Sequence, residues 1–370
     1  MKYRPGRVHG WALLVLAAVG LLLLWIVERS RAPEAQPYFR EKMQAATLTH
    51  EALEAIREVR LGMGGPIDVV NDPNDTGLIG PEFSLITTSR GSYDAKLRAL
   101  DPNMAAVFVQ LLERAEIREG DLVAVGMSGS YPLLNAAMLV SIESLGAVPV
   151  PITSVGSSMW GATDPELTWL DMESILLERG IIAHHSIAAS IGGGDDRGRG
   201  LPPRGREMVR AAVARSGATL IEEASLDEAI SRRLELYDEA AGDSEYALYV
   251  NIGGGLGSVG TSRLDELVKP GLSSMLGTKN FPRRGALVRM AERGVPVIHV
   301  PSADPFIDLY GLAVDPVPVP EVGTGGVFYQ DHYNVALAAV FAVLYGFLIF
   351  VIVRIDLKHY LFRRSGAKDA

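Results

Sequence analysis

The chain has 370 residues, 48% of them hydrophobic, enough to bury one large or two ordinary cores. Its net charge of −9 argues against nucleic acid as a partner, because that ligand needs a basic footprint. Cysteine is absent, which excludes disulfides, thiolate metal ligation and a cysteine nucleophile.

In chain order the first feature is 11–27, seventeen residues without a charge, and its counterpart is 335–353, nineteen residues. Each approaches the roughly 20 residues a helix needs to cross a bilayer. Trp11, Trp25, Tyr333 and Phe350 lie near the ends, where aromatic rings favour the interface. A cleaved signal peptide is the other reading of the first run, with Lys2, Arg4 and Arg7 as its basic region. The run exceeds a usual signal core, however, and Glu28-Arg29-Ser30-Arg31 follows without a small-x-small cleavage pattern, which favours an uncleaved anchor.

Lys2, Arg4 and Arg7 precede the first span, and Arg354, Lys358, Arg363, Arg364 and Lys368 follow the second. The positive-inside rule then places both termini in the cytoplasm and makes the chain a two-pass protein of the cell (inner) membrane. The outward segment 30–332 carries 26 Lys+Arg against 41 Asp+Glu, a net charge of −15. The expected organisation is a tail to residue 10, a span at 11–27, a juxtamembrane helical stalk at 28–66, an outer domain at 67–315, a linker at 316–334, a span at 335–353 and a basic tail at 354–370.

Residues 37–60 read as an amphipathic helix, with Met43, Leu48, Leu53, Ile56 and Val59 near helical spacing. It suits a stalk or a helix lying on the globular domain. A break at 62–66 and turn-rich strand and loop at 67–91 follow. From 103 the pattern alternates: helix 103–115, strand 122–125, helix 132–145, strand 148–153, helix 165–178, strand 186–191 and helix 203–216. Helix 226–240, strand 247–252, helix 284–293 and strand 295–300 complete it. Asp164 would cap the helix at 165, with Pro165 in its first turn. Short apolar strands between helices predict an α/β domain, a mainly parallel, Rossmann-like sheet with helices on both faces. Pro316 to Pro320 reads as an extended linker.

Ligands of open parallel sheets sit beyond the carboxyl ends of the strands. Three strands run into glycine-rich loops, at 126–130, 192–194 and 253–260, and a fourth into 154–158. If the strands are parallel, all four loops open on one edge. Gly126, Ser128, Gly129, Ser130, Ser154, Gly156, Gly192, Gly193, Gly194, Asn251, Gly253 and Gly254 are therefore the expected ligand contacts. Trp160 is divided between lining the site and packing, whereas Trp169 reads as core.

Gly126-Met127-Ser128-Gly129-Ser130 begins like the nucleophile elbow G-x-S-x-G but ends in serine. Two readings follow: a ligand-binding turn, or a nucleophile at Ser128 with His299 as base. Gly255-x-Gly257-x-x-Gly260 matches the dinucleotide fingerprint, but no acidic residue stands near 275–285 for the ribose, so no cofactor is expected and a close-packing loop or anion nest is. In 192–206 the arginines Arg197, Arg199, Arg204 and Arg206 could clamp carboxylates bidentately. Asp195 and Asp196 would restrain those arginines or, with Asp164, Glu166 or Asp171, hold a divalent cation. An exposed charged loop is the third reading. His184-His185 begin a strand and face opposite sides, which favours one buried imidazole over a metal pair.

Several stretches resemble the poly-γ-glutamate system protein family, membrane proteins associated with poly-γ-glutamate capsule synthesis. They are Thr76-Gly77-Leu78-Ile79-Gly80, Thr87-Thr88, Ala95-Lys96, 123–130, Ser154-Val155-Gly156, Trp160-Gly161-Ala162, 169–173, 192–201 and 251–255. They span about half the chain. The resemblance implies a pathway, with synthesis and export proteins and an anionic glutamyl polymer as partners beside the membrane, and it supplies no catalytic assignment. The expected function is a membrane-anchored accessory protein whose outer domain binds a carboxylate polymer or precursor. The alternative is an anchored serine hydrolase or transferase acting on γ-glutamyl amides.

Overall fold

The structure, a computed structural model, describes residues 10–64, 67–277 and 280–354. Lys2, Arg4, Arg7, Lys358, Arg363, Arg364, Lys368 and the side chain of Arg354, on which the orientation rests, lie outside them. The chain forms two compact units, Gln36–Phe328 and the joined terminal segments up to Ala35 and from Tyr329.

In the terminal unit, Gly10–Arg29 and Val335–Arg354 are helices, each long and apolar enough to cross a membrane. The two helices touch where the Tyr345 hydroxyl donates to the Leu16 carbonyl at 3.0 Å, over the bare backbone of Gly20. Strand Ala32–Ala35 pairs antiparallel with Tyr329–His332. The Arg31 guanidinium lies over the Tyr333 ring, 4.2 Å from its centroid.

The larger unit is built on a seven-stranded sheet. Its strands in chain order are β1 Leu122–Ser128, β2 Val148–Ser154, β3 Ala188–Ser190, β4 Thr219–Ile221, β5 Tyr246–Ile252, β6 Gly271–Ser273 and β7 Val297–Val300. Their spatial order is β4-β3-β2-β1-β5-β7-β6. All neighbours are parallel except β6, an antiparallel edge strand beside β7. The order reverses at β1, whose neighbours β2 and β5 lead in opposite directions. A crevice opens at such a point because the crossovers on its two sides go to opposite faces.

Alternate residues of the strands feed two cores. Val123, Val125 and Met127 face one and Ala124 the other, as the period of two requires. Helices Leu226–Ala241 and Ala286–Glu292 cover the second face. On the first face helix Pro132–Ser144 is buried from Pro132 to Ile142. A helix apolar all round needs cover on both sides. The sheet supplies one cover, and helices Phe39–Gly62 and Met104–Arg114 supply the other.

Phe39–Gly62 is thus a core helix and not a stalk, and the compact unit begins at Gln36 and not at 67. Its buried face is Ala45, Ala46, Thr49, Ala52, Leu53, Ala55 and Ile56, small enough for close approach to its neighbours. Lys42 lies on the same face, its ammonium bonded to Gln110 and to the Val327 carbonyl, and burial pushes its pKa down to about 8. The expected linker also belongs here in part, since Val327 and Phe328 are core residues.

Most other elements fall where the alternation places them. The helix expected at 165 begins instead at Trp169. Asp164 closes a local turn by accepting from the Glu166 N–H, and the Asp171 carboxylate accepts from the Thr168 N–H as the reciprocal arm of a cap.

Candidate functional site

The carboxyl ends of β1, β2 and β3 place Ser128, Ser154 and Ser190 side by side, because the register pairs Ser128 with Ser154 and Ser154 with Ser190. Beyond this row lies a cleft of about 430 Å³. All four expected loops line it: Ser128 and Ser130 from the first, Ser154, Gly156 and Ser158 from the second, Gly193 and Gly194 from the third, and Gly254 and Gly255 from the fourth. Segment 88–92, with Arg90 the cation among its lining residues, joins Tyr131, Leu256, Ser262 and Pro301 in the rest of the wall. The lining is dominated by hydroxyls and bare backbone, a surface suited to hydrogen-bonding a polar ligand.

Ser128 lines the cleft from the end of β1. The residue is 2% exposed, and its Oγ has no hydrogen-bond partner among the described residues. A buried hydroxyl without a partner costs about 1–3 kcal/mol unless something occupies it. Gly253, at φ +75°, brings its backbone against this hydroxyl, and a Cβ there would lie 2.4 Å from Oγ.

His299 does not serve Ser128. It is fully buried, and both ring nitrogens are engaged: Asn251 Nδ2 donates to Nδ1 at 3.1 Å, and Nε2 lies 2.8 Å from Asp265 Oδ1. Asn251 also donates to the Gly253 carbonyl at 2.8 Å. The assignment of His299 as base to a Ser128 nucleophile therefore fails on geometry. Asn251 and His299 shape the fourth loop from below and do not line the cleft.

Other expected contacts turn out to be packing residues. Gly126 makes room for the hydrogen bond between the Tyr249 and Ser258 hydroxyls, 2.6 Å apart, since a Cβ would lie 2.5 Å from both oxygens. Gly192, at φ +79°, turns the chain beside Gly156. Gly129 presses on the Val155 carbonyl, where a Cβ would stand at 2.3 Å. Gly129→Ala should therefore push the first and second loops apart and cost about 1–3 kcal/mol, the usual penalty of overpacking, readable as a lower denaturation midpoint.

The run 190–206 divides between two places. Gly193 and Gly194 face the cleft, while Asp195, Arg197, Arg199 and Arg206 line a separate groove with Arg210 and Glu222. Two of the arginines are paired there, Arg199 with Asp195 at 2.7 Å and Arg210 with Glu222, while Arg197 and Arg206 donate to the Ala224 and Leu201 carbonyls, each at 2.6 Å. The expectation that the arginines join the glycine loops in one site is not met.

Asp196 turns inward. At φ +60° it buries its carboxylate against Arg233, 2.8 Å away and equally buried, and accepts from Ser154 and Ser190 at 3.0 and 2.8 Å. Arg233 was not legible as a partner, since it stands on an ordinary amphipathic helix. Gly257 gives this pair its space, because a Cβ would lie 2.1 Å from Arg233 Nε. Gly257 and Gly260 of the G-x-G-x-x-G match are packing residues, while its Gly255 lines the cleft. Asp164 and Asp171 are held by Arg60 and Arg215, so the acids considered for a cation sit in different places.

Trp160, at φ +59°, packs edge-on to Tyr93 and lines a small apolar pocket behind the cleft. That pocket also holds Lys96, which belongs to the stretches of the resemblance and was given no chemical role there. The family models, the curated proteins and the solved structures yield no match to the chain.

Proposed function

We propose that this protein is a membrane-anchored, Rossmann-like α/β protein whose cleft binds a carboxylate-bearing chain or its precursor, in the synthesis or export of poly-γ-glutamate. Both termini would lie in the cytoplasm and the α/β unit outside. The pathway comes from the resemblance of the stretches between 76 and 255. The ligand class comes from the cleft, where serine and threonine residues, glycines and Arg90 gather at the point where the strand order reverses. The observation that carries the reading is the unpartnered, buried Ser128 hydroxyl at the meeting point of four loops.

A net charge of −15 on 30–332 is compatible with a polycarboxylate when contacts are local, because charges are screened beyond about 8 Å at physiological salt. The full chain in detergent micelles should bind γ-glutamyl oligomers with an affinity that falls as salt rises. Arg90→Ala should weaken binding about tenfold, the loss of one charged contact. Absence of any salt-sensitive binding would reject the reading.

A further inference from the structure

We propose that Ser158 and Lys96 form a serine–lysine nucleophilic pair opening onto the cleft, able to take an acyl group from a carboxylic amide or ester. The pair stands on its own geometry and does not rest on which carboxylate the cleft holds. Lys96 Nζ lies 2.8 Å from Ser158 Oγ. Ser158 is half-buried and lines the cleft, whereas Lys96 is 2% exposed and reaches it from behind, out of a pocket walled by Leu78, Ile79, Ala99, Leu100 and Leu133. A serine open to a ligand and a lysine dried by apolar neighbours is the arrangement that activates a hydroxyl without histidine.

The amine is fixed. Nζ donates to the Ser130 carbonyl and sits 4.0 Å from the centre of the Tyr131 ring. With the Ser130 carbonyl and the Tyr131 ring on its other sides, Nζ meets Ser158 through an N–H when charged and through its lone pair when neutral. The serine is fixed too: its N–H donates to Ser130 Oγ at 3.1 Å, and strand Ser157–Ser158 pairs with Thr87–Ser89.

No carboxylate forms an ion pair with Lys96 among the described residues. Asp94 on its own helix is exposed, and Arg98 is turned to Asp304 at 3.1 Å. Of the titratable groups packed around it, Tyr131 touches it, with its pKa pushed up to about 12 by burial, and Tyr93 lies across Trp160. Burial without a counter-charge brings Lys96 down to about 7. Lys42, also buried, meets an amide and a carbonyl and faces no hydroxyl.

In the reaction the neutral Lys96 amine takes the Ser158 proton as Oγ bonds to the acyl carbon. The C–N or C–O bond then breaks, and the leaving amine or alcohol takes that proton from the Lys96 ammonium. Water, or a second amine, attacks the acyl–serine ester, gives its proton to Lys96, and Ser158 Oγ leaves and regains a proton.

The test treats the full chain in detergent micelles with an alkyl fluorophosphonate and maps the adduct by mass spectrometry. We expect one phosphonylated residue, Ser158, labelled about tenfold faster per pH unit up to about pH 7 and levelling above it. Ser158→Ala should abolish labelling. Lys96→Met should slow labelling by about 10²-fold or more and remove the pH dependence. If Lys96→Met does not fold, Ser158→Cys with iodoacetamide replaces it, and the pair predicts a thiol reacting at a pH below the usual cysteine range. An adduct on Ser128, Ser130 or elsewhere, no adduct, wild-type labelling by Lys96→Met, or an ordinary thiol pH profile would overturn the proposal.

Discussion

Replacing Asp196 with alanine is expected to destabilise the α/β unit by about 3–5 kcal/mol, the cost of stranding one member of a buried ion pair. Asp196 and Arg233 are both about 1% exposed. Without the carboxylate the guanidinium keeps only the Ser154 and Ser190 hydroxyls, at 3.0 and 2.6 Å, and no counter-charge. The same carboxylate holds loop 192–200 down through a residue at positive φ, so the cleft wall at Gly193 and Gly194 should loosen with it. Urea denaturation of the full chain reads the loss. Adding Arg233→Met to Asp196→Ala should restore most of it, because the second substitution removes the stranded charge. A double variant no more stable than the single one would show that Arg233 is not destabilised by losing its partner.

The second large effect concerns Glu173. Its carboxylate is buried behind β2, accepting from the Ser186 N–H and hydroxyl, each at 2.9 Å, and burial pushes its pKa up to about 7 from an ordinary 4.5. The folded state therefore holds a proton that the unfolded chain releases above pH 4.5. Stability from this group is complete below 4.5 and is lost as pH rises through 7. The shift corresponds to about 3 kcal/mol at alkaline pH. Glu173→Gln, which cannot ionise, should match the wild type near pH 4 and exceed it by about that amount at pH 8.5. Comparing the two proteins at each pH cancels every other titrating group. Equal stability at pH 8.5 would contradict a carboxyl kept neutral by burial.

Much of this architecture was legible in residues. Strands of β-branched and apolar residues, each running into glycine or serine, predicted both the parallel sheet and the four loops that meet at one edge. Local chemistry was less legible wherever a distant partner decided it. Asp196 reads the same as Asp195 in sequence and both take a positive φ, yet the buried Arg233 holds one inside while the other pairs with Arg199 at the surface. Helix Phe39–Gly62 looked like a stalk because its buried face is mostly alanine and threonine, whose weak hydrophobic pattern hides close packing. Segment 88–92 joins the cleft only through its pairing with strand Ser157–Ser158, which no local pattern encodes. Lys96 gains its character from pocket walls drawn from separate stretches of chain, Leu78 to Trp160.

The proposed function requires the ligand to sit in the serine- and glycine-lined cleft and not in the arginine groove beside it. Hydrogen exchange of the full chain in micelles, with and without a γ-glutamyl oligomer, tests this most directly. Binding in the cleft should slow exchange at 88–92, 128–131, 154–158 and 253–256 and leave 204–210 unchanged. Protection confined to the groove around Arg197, Arg206 and Arg210, with the cleft loops unaffected, would contradict it.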